Sequence, residues 1–290
     1  MSFCLLLLCC RVVAAQKTEP LHADWLANDV ANMERILPQL KQAEPLTVEA
    51  LATIFNSPDA NKRINWLGED NGLGFGGQTF DFSKPAGYAH LRVRGFAFNG
   101  AIGNYTISLD TSADSWPRIK SVLIDVWNRN GGPEFTEDKW GIRHHRKFAN
   151  VVADYKQAVA KQLGEMQPVN VPPGLKGSYE MLISLGQNVA IGQGPCDYAG
   201  ITPRGKSAID AIVNAKRVDL LANILKGYNP GGRVYAAVAL TAMQRKGVEL
   251  PGDILHTLEV IRNLDLLLDT CDGCLHSYKT AKTIIDEWRF

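Results

Sequence analysis

The sequence predicts an α+β fold: an N-terminal antiparallel β-meander packed with helices, then an all-helical domain of helical hairpins. Three observations predict it. Tyr105, Ile107 and Leu109 alternate with Thr106 and Ser108, and Val122, Ile124 and Val126 alternate likewise, the period of a half-buried strand. Asn99-Gly100 tolerates positive φ at both turn positions and suits a type I′ hairpin joining 89–98 to 101–109. Beyond residue 174 the apolar positions recur at helical spacing between Gly and Pro breaks.

Taken in order, Phe3 to Cys10 is an apolar run of eight, and Val13 and Ala15 place small residues at −3 and −1 of a cleavage site. Residues 1–15 are therefore expected to be a signal peptide, although no Lys or Arg precedes the run. The domain expected over 16–166 starts with an amphipathic helix over 20–42, with a kink or break at Pro38, and a short helix carrying Val48, Leu51, Ile54 and Phe55. From Arg63 to Phe148 the chain is rich in aromatic and β-branched residues, Gly and Asn, which predicts about five strands. A helix over 147–164, with Val152, Tyr155, Val159 and Leu163 on one face, is expected to cover the sheet. Residues 167–174 (QPVNVPPG) read as a Pro-rich linker. The all-helical domain over 175–290 divides into helices at 177–186, 204–214, 217–226, 231–245, 252–264 and 277–288.

With 31 basic and 30 acidic side chains the net charge is +1, so there is no long-range field to favour nucleic acid or an anionic membrane. After the leader no stretch reaches the ~20 apolar residues of a membrane span. Cleavage at Ala15 would remove three of six cysteines and leave Cys196, Cys271 and Cys274. In an oxidising compartment these make one disulfide and one free thiol. The candidate pairs are Cys271 with Cys274, or either with Cys196.

Several motifs suggest chemistry. Gly200 to Ser207 (GITPRGKS) matches the phosphate-loop pattern, with Gly200, Gly205, Lys206 and Ser207 in the defining places. That chemistry needs a buried strand ending at the first Gly and a parallel sheet. Val189-Ala190-Ile191 is short and distant, and the remainder reads as helical, so the preferred reading is a helix start with Thr202 as N-cap and Pro203 at the first helical position. Asp269, after Leu266 to Leu268, imitates the metal-binding Asp of such enzymes. Gly72 to Gly77 (GLGFGG) satisfies a dinucleotide pattern, but a strand and not a helix follows, so it reads as a loop between strands. Cys271 and Cys274 form a C-x-x-C; a structural disulfide is preferred to redox catalysis, or to a zinc site completed by Cys196 and His276. Residues 143–147 (RHHRK) are a basic cluster that could bind an anion or form a solvated edge. His256 and Glu259 lack the second His of a zinc protease, and Asn104-Tyr-Thr106 is a glycosylation sequon.

Gly232 to Leu240 (GRVYAAVAL) resembles the second-helix segment of HEAT-like α-helical repeats, in which an Arg precedes an aromatic residue and an Ala-rich face that lets helices pack closely. The helix Val218 to Leu225 and the Asn229-Pro230 turn suit it. The resemblance covers one helical pair and extends loosely over 204–290; no fixed period runs through the half. It implies a packing scaffold or protein-binding surface and no catalytic residue. Together these features lead us to expect an exported, non-catalytic protein-binding or scaffold module without metal or cofactor. The alternative is an enzyme, either phosphate-loop or thiol–disulfide.

Overall fold

The computed structural model describes residues 20–43, 46–55, 72–185, 191–196, 200–273 and 275–288; the expected leader and Cys274 lie outside them. Helix α1 (Ala23–Gln42) continues past Pro38 and buries Met33, Ile36, Leu37 and Leu40, and helix α2 (Val48–Phe55) buries Leu51, Ile54 and Phe55. Both apolar stripes follow the helical period.

Six strands form one antiparallel sheet: β1 (Gly72–Gly74), β2 (Gly77–Pro85), β3 (Ala89–Phe98), β4 (Ala101–Thr111), β5 (Thr136–Asp138) and β6 (Gly141–Lys147). Their spatial order is β1-β2-β3-β4-β6-β5. The β3–β4 hairpin turns at Asn99 (φ 48°) and Gly100 (φ 81°), as the Asn-Gly pair requires. Residues 122–126, expected as a strand, belong instead to helix α3 (Trp116–Arg129). Its buried residues Ile119, Leu123, Val126 and Trp127 fall at helical spacing, while Val122 is 41% exposed. The alternation of 122, 124 and 126 is therefore incidental, and Pro117 in the first turn favours the helix.

Helices α1, α2 and α3 share one core with the sheet face that carries Phe80, Phe82, Leu91, Val93, Tyr105, Ile107, Leu109 and Ile142. Helix α1 is tied to the start of β3 through the buried Asp29, whose carboxylate accepts from the amides of Tyr88 (2.8 Å) and Ala89 (3.3 Å). Burial pushes the Asp29 carboxyl above its ordinary range, against the lowering effect of those amides. Gly87 lets the two segments touch: a Cβ there would come within 2.1 Å of the Trp25 carbonyl oxygen.

Helix α4 (Ala149–Leu163) packs against β3 and β4, but its buried residues Val152, Tyr155, Val159 and Leu163 join the back-half core together with Leu73 and Phe96. The register shift between Phe96 and Ala97 accompanies this change of partner, with the Phe96 ring 4.9 Å from that of Tyr155. Helix α5 (Pro173–Ile183) begins inside the segment expected as a linker, because Pro173 suits a helix's first position, and the non-helical remainder, 167–172, is fastened down. The Gln167 amide donates to Asn223 Oδ1 (2.9 Å), and Asn223 Nδ2 donates to the Gln167 carbonyl oxygen (2.6 Å).

The back half contains α5 (Pro173–Ile183), α6 (Arg204–Asn214), α7 (Val218–Leu225), α8 (Pro230–Arg245), α9 (Gly252–Arg262) and α10 (Ala281–Glu287). It also holds a sheet that the all-helical expectation lacks: β7 (Ile191–Cys196) runs parallel to β8 (Leu267–Gly273), which pairs antiparallel with β9 (Leu275–Thr280). β7 contains Gly192, Gly194 and Pro195, weak strand formers, and the Leu266–Leu268 run is too short for its period to distinguish strand from helix. The helix expected over 277–288 starts only at Ala281, where Thr280 Oγ1 accepts from the Thr283 amide (3.2 Å) as N-cap.

Helix α8 lies at the centre of this half, buried from Gly231 to Leu240. A helix apolar on all sides belongs inside a core. Arg233 is fully buried there, and no carboxylate meets its guanidinium among the described residues. It donates from Nε to the Gly227 carbonyl oxygen (2.6 Å), from one terminal nitrogen to that of Leu73 (2.5 Å), and from the other to the Tyr155 hydroxyl (3.0 Å). The guanidinium carbon also stands 5.2 Å from the centre of the Phe75 ring. One side chain on α8 thus ties the glycine-rich turn between β1 and β2 to α4 and to the α7–α8 connection.

Candidate functional site

The phosphate-loop match occupies the crossover from β7 to α6. Two grounds for declining it do not survive: a strand does end at Cys196, before Gly200, and β8, carrying Asp269, runs parallel to that strand. The loop itself is committed elsewhere. Ile201 and Cys196 exchange backbone hydrogen bonds (2.9 and 3.1 Å), Pro203 has no amide, and the Ser207 amide donates to the Pro203 carbonyl oxygen. Gly200 is exposed at φ 58° and Gly205 is buried in the first turn of α6. Lys206 is a helical residue whose ammonium lies on both oxygens of Asp210 (2.6 and 2.5 Å), and Ser207 is exposed. The expected cap also shifts: Pro203, not Thr202, stands at the N-cap, without a side-chain cap bond.

Beside that crossover a disulfide joins Cys196 at the end of β7 to Cys271 in β8, one of the pairings the sequence leaves open. Both residues are buried. Two of the four ligands considered for zinc are thereby bonded to each other. His276, the other one within the described residues, places Nδ1 3.3 Å from Asp269 Oδ1. Next to the bridge, β9 forms the outer edge of its sheet, and it is exposed along most of its length. Leu275 is 75% and Tyr278 55% exposed.

The glycine-rich 72–77 segment is the turn between β1 and β2, with positive φ at Gly74, Phe75 and Gly76. His256 and Glu259 are both exposed on α9, and Glu259 accepts from Asn263 Nδ2 (2.7 Å).

The basic cluster 143–147 is divided by the strand period. Arg143, His145 and Lys147 lie on the open face, where His145 Nδ1 meets Thr106 Oγ1 at 2.8 Å. His144, opposite Ile107, and Arg146, opposite Tyr105, lie on the face turned towards α1. They help line a cavity of about 360 Å³ with Leu37, Leu40, Lys41, Leu46, Tyr105, Ile107, Gly131 and Pro133. That size falls at the small end of ligand pockets. Its apolar wall comes from α1 and β4. His144 Nδ1 lies 2.7 Å from the Glu134 carbonyl oxygen, which can only accept, so Nδ1 carries a proton and Nε2 points elsewhere. Arg146 stands over the Phe148 ring at 5.1 Å. Lys41 lies across Gly131, where a Cβ would come 2.8 Å from its Cδ and 3.1 Å from Nζ. Gly131 adopts φ 73°, a conformation glycine takes without strain. The cluster at 143–147 is visible in the sequence, but its division between two faces and its meeting with Lys41 depend on pairing and are not.

No protein-family model, no curated protein and no solved structure matches this chain.

Proposed function

We propose that this is an exported, non-catalytic protein-binding module whose partner adds an extended segment to the open edge of β9. The observation that carries the reading is that edge: a strand with one neighbour among the described residues, exposing Leu275 and Tyr278 beside a disulfide-anchored sheet. Strand edges of this kind are used for β-augmentation and, left bare, risk aggregation. The buried Cys196–Cys271 bridge supports an oxidising compartment, where such bonds persist. The closely packed alanines of α8 suit a scaffold role, in line with the HEAT-like character of that segment. Balanced charge argues against nucleic acid as the partner.

The test is a photo-crosslinking residue at Tyr278, compared with one at Lys176 on α5. The reading predicts a specific protein adduct at 278 only, lost when His276→Pro removes an amide that faces the open edge, whereas the Ser277 amide faces β8. Adducts that persist in the proline variant would contradict it.

A nucleotide-binding enzyme is the second reading, favoured by one observation: β7 leads through GITPRGKS into α6, with β8 parallel beside it. It predicts a higher melting temperature with ATP and Mg²⁺, abolished by Lys206→Ala. A thiol–disulfide enzyme using Cys271 and Cys274 predicts that mild reductant opens the Cys271 bond; alkylation and intact mass would show whether it does.

A further inference from the structure

The pocket between α1 and the sheet is independent of the β9 edge and carries chemistry of its own. We infer that it is the binding site of a free, small, apolar monocarboxylate. Leu37, Leu40, Leu46 and Ile107 line it with aliphatic surface, and Lys41, His144 and Arg146 add nitrogen groups to the same lining. No Asp or Glu stands among the described lining residues, which give the cavity apolar walls and a positive edge. An anion with a hydrocarbon body matches both parts, whereas an uncharged hydrocarbon matches only one.

Two of the nitrogen groups are available on geometric grounds. Lys41 has no ion-pair partner among the described residues, and its stem lies across Gly131, where any side chain would meet it. His144 commits Nδ1 to the Glu134 carbonyl oxygen, which fixes the ring and leaves Nε2 for a ligand. In the neutral ring Nε2 accepts from a carboxylic acid O–H; in the imidazolium it donates to a carboxylate. The charged and apolar groups come from separate elements, α1, β4, the turn at 131–133 and β6. Asp29 and the strand pairing hold the first, second and last of these in place. At about 30 Å³ for each water-sized group, the volume holds roughly a dozen non-hydrogen atoms. That accommodates an acid of about eight carbons.

Octanoate is a suitable probe, titrated into the full chain and followed by calorimetry and by protein NMR shifts. The expected result is saturable one-to-one binding that shifts residues of α1 and β6. Affinity should fall roughly tenfold or more in Lys41→Met, which keeps the stem but removes one charge-assisted contact. 1-Octanol should bind more weakly by a similar factor. Leu40→Trp, designed to fill the cavity, should abolish binding while the far-ultraviolet dichroism is retained. If that variant does not fold, Lys41→Met, an exposed substitution, decides alone. No binding by the native chain, equal affinity for octanol, or unchanged affinity in Lys41→Met would overturn the assignment. A peptide ending in a leucine carboxylate that bound tightly while octanoate did not would overturn the free acid as ligand. Because β9 is not involved, failure here leaves the edge-strand reading standing, and the converse also holds.

Discussion

The two cores of this molecule share one device, a buried polar side chain that fastens elements, but the front half also sets polar groups at the edge of a cavity. In the back half, buried polar side chains act as internal fasteners. Arg233 holds two carbonyls and a tyrosine hydroxyl, Tyr235 both donates to and accepts from Gly192, Asn223 brackets Gln167, and a disulfide closes β7 on β8. In the front half the same kinds of group, Lys41 and His144, border a cavity. Buried polar atoms that are all satisfied specify one arrangement. Polar atoms left at the edge of an apolar hollow are suited to a ligand. The contrast predicts that the back half tolerates little, and that the front half tolerates changes at its pocket with effects confined to binding.

The largest effect should come from the disulfide. Replacing Cys196 and Cys271 together by Ala frees a loop spanning 75 residues, and the loop-closure argument puts the loss at about 4 kcal/mol. Urea unfolding of the non-reduced native chain beside the double variant measures it. Next is Arg233→Met, which strands the Gly227 carbonyl oxygen and leaves the Leu73 carbonyl oxygen and the Tyr155 hydroxyl only their mutual 3.3 Å bond. At about 1–3 kcal/mol for the stranded carbonyl and about 1 kcal/mol for each of the other two bonds lost, offset by no longer burying a charge, the net loss should be about 3 kcal/mol. The Tyr155 hydroxyl, pushed up by burial despite the adjacent guanidinium, stays protonated throughout the ordinary pH range.

Tyr235→Phe should cost about 1–3 kcal/mol, because the Gly192 amide (2.7 Å) and carbonyl oxygen (3.0 Å) both lose their partner. Burial also pushes the Tyr235 phenol up, so the effect should not vary between pH 6 and 9. If Tyr235→Phe proved neutral, the fastening role assigned to this residue would fail. The smallest effect is that of acid. Lys226 beside Asp253, and Lys282 with Arg262 beside Asp286, hold those carboxyls below their ordinary range. A lowered folded pKa contributes stability that is present above the unfolded value near 4 and lost as pH falls through the folded one. Asp29, shifted upward, works in the opposite sense, losing stability as pH rises through its folded pKa. Urea midpoints should therefore fall from pH 5 to pH 3, and Asp253→Asn should flatten that fall.

What the sequence made legible was local. The Asn99-Gly100 hairpin, the α1 stripe and the bounds of α6, α8 and α4 all rest on residues within a few positions of one another. Helix α3 was misread because three β-branched residues at alternate positions also fit a helix when the larger Leu123 and Trp127 are counted with them. The second sheet escaped because β7 and β8 pair across 77 to 79 residues, Cys196 with Gly273 and Ile191 with Thr270, and neither has a period of its own. The pocket was legible in part. RHHRK announced a basic cluster, but only the pairing of β4 with β6 shows that His144 and Arg146 turn inward, and only the α1 packing brings Lys41 to them.

The most direct test of the contrast between a fastened half and an open one is native-state hydrogen exchange, read residue by residue with increasing urea. Amides of α8, β7 and β8 should exchange only through global unfolding, and those of α1 around Lys41 and of the 131–133 turn through a smaller opening at lower free energy. Back-half amides that open first, or a single opening energy across both halves, would contradict it.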